Sequence, residues 1–215
     1  MALRLDHSFI LTPPGAVEAE LLSAIGLIEG SSNTHPGQGT ANRRFFCANT
    51  VLELLYLRDA IEAENGPGKK LRFNQRLNDD QASPFGLVFR RDRGDADIAF
   101  EGWSYYPEYF EGDLCFQVGA NSDRLVEPLC ICMPEGLQRP DRSAPLENPD
   151  WRLSGLKISV PVDRPSETLR RLSASHEISL ILGQPHLLEL YFRHASQQGL
   201  HDFRPHLPLV IHCQP

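Results

Sequence analysis

VLELLYLRDA, residues 51–60, reads as a buried strand with one misfit: Glu53 stands among Val51, Leu52, Leu54 and Leu55. A carboxylate in such an apolar run is costly to bury unless a hydrogen bond or a countercharge meets it, so the position asks for a partner. The same words return in LLELYFRHA, residues 187–195, with Glu189 in the corresponding place. Working outward from these two words, one order of elements is found around both. LDHSFILT, residues 5–12, has the composition of a strand. Pro13, Pro14 and Gly15 then turn the chain into a helix with Val17, Leu21, Ala24 and Ile25 at helical spacing and Gly26 near its end. RRFFCAN and VLELLYL follow as strands, with residues 48–50 near the turn.

Toward the C terminus, LKISVPV (156–162) is a strand, residues 163–166 open a helix with Leu169 and Leu172 on one face, and ISLILG, HLLELYF and LPLVIHC are strands. Repetition of this kind predicts two copies of one βαβββ unit. Aligned by their first strands and their LEL words, the copies put His7 opposite Lys157 and Glu53 opposite Glu189. The first copy is longer by about the length of GSSNTHPGQGTAN (30–42), which reads as an insertion and so as a functional loop. The expected partition is a first module over 1–83, with RDAIEAENG as a short helix ending at Gly66, and a second module over 151–215. Between them, residues 84–150 hold the strand-rich stretches PFGLVFRR, DIAFEGWSYY, LCFQVGA and EPLCICM, then a proline-rich connection over the surface from 134. These middle strands either extend one sheet or form a reduced module of their own.

Composition narrows the class. With 215 residues, 41% hydrophobic and 23% charged, the chain has the make-up of a soluble globular protein with a real core. No apolar run approaches the roughly 20 residues that span a bilayer, and the start, MALRLDHSFILT, reads as a strand, not a signal peptide. The net charge of −7 and the lack of a basic block argue against a nucleic-acid partner, and no membrane partner is expected. Five cysteines without framework spacing read as reduced thiols, Cys130 and Cys132 included, and fit a cytoplasmic setting. No P-loop, dinucleotide fingerprint or G-x-S-x-G elbow is present.

LDH (5–7), GSSNTHPGQGTANRRFF (30–46) and LEL (52–54) together resemble the glyoxalase-like branch of the vicinal oxygen chelate superfamily. That superfamily includes glyoxalase I, extradiol dioxygenases and the fosfomycin- and bleomycin-resistance proteins. The resemblance implies an α+β fold in which paired βαβββ modules enclose a cleft, here with an added β-rich middle segment. It implies one metal ligand from the first strand and one from the last strand of each module. Carried over by position, His7, Glu53 and Glu189 are the ligands of a divalent Mn, Fe, Ni or Zn ion. Lys157, an ammonium, holds the fourth place and departs from the pattern.

The expected function is accordingly that of a metal-dependent small-molecule enzyme of lyase, isomerase or dioxygenase type, acting on vicinal oxygens. Glu53 or Glu189 would move the proton. The alternative is a metal-free binding or sequestering protein in which Lys157 pairs with Glu189 in place of the metal. A third is a filled cleft on a scaffold that works through partner contacts. Each candidate also has a plain structural reading. His7 would pair with neighbouring Asp6, and Glu53 with Arg43 or Arg44 across the hairpin. The THPGQGTANRR loop adds His35, Gln38, Asn42, Arg43 and Arg44 as substrate-binding candidates beside Lys157. Of the two adjacent arginines only one can face a cleft, because successive strand side chains point to opposite faces. FEGWSYYPEYF (100–110) supplies aromatics either to that cleft or to the cover of a core. The partners expected are a small-molecule substrate and, since the superfamily often pairs subunits, a second copy in a homodimer.

Overall fold

A computed structural model describes residues 3–91, 100–134, 137, 146–174 and 178–215. Most of the expected surface connection, residues 97–99 of the expected DIAFEGWSYY strand, and His176 lie outside the described residues. The fold is α+β. β1 (Leu3–Thr12), α1 (Ala19–Ala24), β2 (Asn33–His35), β3 (Thr40–Phe46) and β4 (Val51–Leu57) form the first module. α2 (Ala60–Asn65) and α3 (Phe73–Asn78) follow it, and then β5 (Phe85–Arg91), β6 (Gly102–Tyr105), β7 (Phe116–Gly119) and β8 (Leu129–Cys132). The last part holds β9 (Arg152–Val160), α4 (Glu167–Ser173), β10 (Ile178–Leu182), β11 (Leu187–Arg193), β12 (Gly199–Asp202) and β13 (Leu209–Gln214).

Strand order shows which modules pair. One eight-stranded sheet runs β2-β3-β4-β1-β5-β8-β7-β6. β1 is parallel to β4, β5 is parallel to β8, and β1 meets β5 antiparallel. Each half therefore repeats the other's order about the β1–β5 seam. The partner of the first module is the stretch from β5 to β8, not residues 151–215. The final strands form a separate five-stranded sheet, β10-β9-β11-β13-β12. There the LEL strand β11 runs antiparallel to β9, with Glu189 beside Lys157, whereas in the first module β4 runs parallel to β1, with Glu53 beside Phe9. The two LEL words are thus alike in composition and different in topology. GSSNTHPGQGTAN is likewise no insertion: it carries β2 and the turn into β3, an integral hairpin of the first module.

Alternation along the strands sorts side chains between two cores. On one face of the large sheet, Ile10, Phe45, Leu52, Leu54, Leu87 and Phe89 join α1, α4 and the inner face of the five-stranded sheet, including Leu156, Ile158, Leu188, Leu190 and Ile211. Cys130 and Cys132, two residues apart on β8, both point into this core, and all five cysteines are free. Burial pushes the Cys130 thiol up to about 12, which leaves it inert as a nucleophile. The opposite face curls around a second cluster, with Phe9, Leu55, Phe73, Val88, Tyr105, Val118 and Ile131. The expected helix over residues 13–26 shortens to α1; Ala16, Ala19 and Leu22 are buried in the core, Leu21 and Ile25 pack against it, and Val17 is exposed. No described helix is long and apolar enough to cross a membrane.

Candidate functional site

A cavity of about 160 Å³ lies on the curled face of the eight-stranded sheet. The first module supplies its polar wall: His7 from β1, His35 from β2, Gln38 from the β2–β3 turn, Arg44 from β3 and Glu53 from β4. Residues 71–133 supply an apolar wall that includes Phe73, Tyr105, Tyr109, Phe110, Phe116 and Ile131. Most of the aromatics in FEGWSYYPEYF thus serve the cavity or its surrounding cluster, while Phe100 is buried in the other core and Tyr106 is exposed.

Local structure aims each polar group. The register of β1 shifts between Leu5 and His7, so Leu5 points into the core between the sheets while His7, two positions on, faces the cavity. Such an extra residue re-aims a strand's side chains. That residue, Asp6, is buried, and its carboxylate accepts from His7 Nδ1 at 2.8 Å and from Arg90 Nε. The bonded Nδ1 directs the ring's other nitrogen away from Asp6. Burial opposes a charge on His7, but Glu53 and Asp6 together outweigh burial and hold its pKa above the ordinary 6.5.

His35 is tuned the other way. Burial lowers its pKa, against the opposing pull of Glu53. Gln38 Nε2 donates to Thr40 Oγ1 at 2.7 Å, and that hydroxyl lies 2.9 Å from His35 Nδ1. A Thr40 hydroxyl that donates onward to Nδ1 leaves the neutral ring with its proton on Nε2. The turn is locked by Gly39 (φ +70°), where an added Cβ would lie 2.3 Å from the Asp59 carbonyl oxygen. That carbonyl is bonded by Ala63, and Gly37 N–H donates to Glu62 Oε1 at 2.6 Å, fastening the hairpin to α2.

Glu53 accepts from Asn42 Nδ2 at 3.2 Å. Arg44 is the β3 partner of Glu53 and faces the cavity, anchored by Nε to the Ser31 carbonyl at 2.7 Å. Arg43 points to the other face, where it bonds Glu29 and Glu20 and holds the approach to α1. It is not a cavity residue, for the reason of strand alternation. Tyr109 stacks obliquely beside His35, with ring centroids 5.5 Å apart. The Tyr105 hydroxyl is buried without a hydrogen-bond partner; an orphan donor of this kind in a cavity wall is a group a ligand can satisfy.

The structure does not bring Glu189 and Lys157 to this cavity. They sit on the outer face of the five-stranded sheet, where Lys157 Nζ lies 2.5 Å from Glu189 Oε1 and His212 Nε2 lies 2.9 Å from Oε2. Tyr191 donates its hydroxyl to Glu189 at 3.2 Å and stacks on His212. Burial works against the Glu189 carboxylate, but Lys157 and His212 outweigh it and hold its pKa below the ordinary value. The expected ligand set of His7, Glu53 and Glu189 therefore does not assemble. Across the β1–β5 seam the register partner of His7 is Val88, and Val88, Ile131 and Met133 make the second module's side of the cavity apolar. Among the described residues no three His, Cys, Asp or Glu side chains are grouped to hold a metal ion.

Composition and spacing gave no signal for Arg90 behind Asp6, nor for Phe73, Phe116, Ile131 and Met133 in the wall. Alternation along PFGLVFRR and EPLCICM would have assigned the faces of Arg90, Ile131 and Met133 once the β1–β5 pairing was known.

No family model and no curated protein sequence matches the chain. Among solved structures, a hypothetical protein from Staphylococcus aureus matches with TM-score 0.67 at 10% identity, over 100% of both chains. A hypothetical protein from Bacillus halodurans C-125 matches at TM-score 0.40 and 14% identity, over 66% of this chain and 100% of its own. A mutant 4-hydroxymandelate synthase from Streptomyces coelicolor matches at TM-score 0.47 and 12% identity, over 97% of this chain and 61% of its own. The first shares the fold along the whole length; the other two superpose too loosely to bear on the site.

Proposed function

We propose that the cavity binds one small oxygen-bearing molecule and that its polar wall moves a proton on it. The observation that carries this reading is the convergence of His7, His35 and Glu53 on one cavity with a largely aromatic opposite wall. A volume near 160 Å³ matches a single-ring molecule, since an apolar cavity of about 150 Å³ takes up benzene. Glu53 is the base: its carboxylate is held by Asn42 and faces the polar end. His35, neutral with Nε2–H outward, donates to a ligand oxygen. His7, carried by Asp6, stabilises negative charge that develops there.

The metal that the glyoxalase-like resemblance implies does not fit the residues expected to hold it, because Glu189 belongs to the other sheet and the second module lines the cavity with Val88, Ile131 and Met133. No step is routed through one. A second reading, sequestration without turnover, is favoured by that same apolar half of the cavity.

Calorimetric titration with phenol, catechol and one-ring α-hydroxyketones tests the reading. Saturable binding of at least one probe is expected, weakened about tenfold or more by Phe110→Ala, since the loss of a half-buried aromatic wall costs about 1 kcal/mol or more. Exchange of a carbon-bound proton for solvent deuterium is expected on a bound hydroxyketone and is lost in Glu53→Gln. Binding without exchange would leave sequestration, and no binding of any probe would refute both.

A further inference from the structure

Behind the polar wall of the cavity, a line of hydrogen bonds ends on His35. Tyr109 Oη donates to Gln38 Oε1 at 3.4 Å, and Gln38 Nε2 donates to Thr40 Oγ1 at 2.7 Å. Thr40 Oγ1 in turn lies 2.9 Å from His35 Nδ1. Gln38 and Thr40 are both buried, so the partners of each are fixed by the protein. Gln38, expected from the sequence to touch a substrate, thus spends both ends of its amide on Tyr109 and Thr40.

Each link has a direction, and the directions are coupled. Burial keeps the proton on Tyr109, so its phenol can donate to the Gln38 carbonyl oxygen. The amide nitrogen can only donate, so Thr40 Oγ1 receives from it and turns its own single proton to His35 Nδ1. Burial also favours the neutral His35 ring, and a neutral ring that accepts at Nδ1 presents Nε2–H to the cavity. An acceptor in place of the Gln38 nitrogen would reverse every link. It would take the Thr40 proton, Thr40 would accept from Nδ1–H, and Nε2 would meet the cavity as a lone pair. The backbone holds the atoms in place for either choice. Gln38 N–H donates to the His35 carbonyl at 3.1 Å and Gly68 N–H to the Gly37 carbonyl at 3.0 Å. Gly68 packs so closely that an added Cβ would lie 2.9 Å from Gln38 Cα.

We propose that Gln38 is a positioning residue that sets the specificity of the cavity. Acting through Thr40, its amide makes His35 a hydrogen-bond donor and so selects ligands whose oxygen is an acceptor, a carbonyl above all. The selection of ligands rests on the binding role proposed above for the cavity; the control of the His35 tautomer does not.

The test reads the tautomer of His35 in the full chain by long-range proton–nitrogen correlation NMR with labelled histidine, at alkaline pH, where the ring is neutral. The signal is assigned by its loss in His35→Asn. Wild-type protein is expected to carry Nε2–H. Gln38→Glu sets an acceptor against Thr40 and should move the proton to Nδ1, and adding Thr40→Val to it should return the proton to Nε2. Thr40→Val alone, almost unchanged in volume, should shift the Nδ1 resonance toward that of a nitrogen with no donor. In calorimetry, acetophenone, whose oxygen only accepts, should bind about tenfold more weakly to Gln38→Glu than to wild type. Phenol, which can donate or accept, should change little. The proposal is overturned by Nδ1–H in the wild type, by an Nδ1 resonance indifferent to Thr40→Val, or by Nε2–H persisting in folded Gln38→Glu. Nδ1–H persisting in the double variant, or equal losses of the two probes, would overturn it as well. The wild-type and Thr40→Val readings decide it if Gln38→Glu does not fold. Failure of both probes to bind the wild type would count against the proposed function, while the tautomers would still decide the role of Gln38.

Discussion

His7 and His35 share a cavity and are tuned in opposite directions, for reasons that lie in their immediate neighbours. Glu53 and Asp6 keep His7 charged to higher pH against burial, whereas burial prevails at His35. In an NMR titration of the imidazole resonances, His7 is expected to titrate above 6.5 and His35 below it. Asp6→Asn should bring the His7 midpoint down. The reverse order of midpoints would remove the assigned roles. The sign for stability follows from the same shifts. His7 adds stability below the unfolded value near 6.5 that is lost as pH rises through its higher folded value. His35 removes stability once pH falls below 6.5, because the unfolded chain takes up a proton that the folded chain resists. At the same scale, Gly86 leaves room for the Phe9 ring: an added Cβ would lie 2.0 Å from it, and Phe9 is buried. Gly86→Ala is expected to destabilise the fold by about 1–3 kcal/mol through overpacking. Urea denaturation measures this, and an unchanged midpoint would show that Phe9 can swing aside.

Among the elements, α4 shows how the second sheet is fastened to the first. Ser166 caps α4, its Oγ accepting from Leu169 N–H at 3.1 Å. The same hydroxyl donates to Glu127 Oε2 at 2.5 Å, and Ser166 N–H donates to Oε1 at 2.8 Å. Glu127 is fully buried in the segment leading to β8, where the Arg76 guanidinium gathers the carbonyls of Leu125 and Glu127. Ser166→Ala should therefore cost more than an ordinary exposed cap, about 1–2 kcal/mol by thermal or chemical denaturation. A loss of only a few tenths would mean that Glu127 finds other donors. The register shift in β1 is the second decisive element feature, since it lets Leu5 serve the inter-sheet core while His7 serves the cavity.

For the whole molecule, the central finding is that the two glutamates of the LEL words belong to different sites. Glu189→Ala is expected to leave ligand binding in the cavity unchanged and to lower stability by about 1 kcal/mol, as Lys157 and His212 lose a partly solvent-shielded acceptor. Glu53→Gln is expected to do the opposite: near-wild-type stability and impaired proton exchange. Parallel calorimetric and denaturation curves decide it, and an equal loss of binding in both variants would contradict the separation of the sites. Much was legible beforehand. The sequence alone established most strands, the short helix ending at Gly66 and the rule that one of Arg43 and Arg44 must turn away; the resemblance added the α+β class and the expectation that His7 and Glu53 face one cleft. The former are consequences of local periodicity, turn chemistry and alternation, which act over a few residues. What only the tertiary structure decided was which strand lies beside which. The same LEL pattern suits a strand parallel or antiparallel to its neighbour, so composition could not tell β4 from β11. Pairing across the β1–β5 seam, accompanied by the burial of Leu87, Phe89 and their neighbours, made β5, β6, β7 and β8 the partner of the first module and left Glu189 on the other sheet.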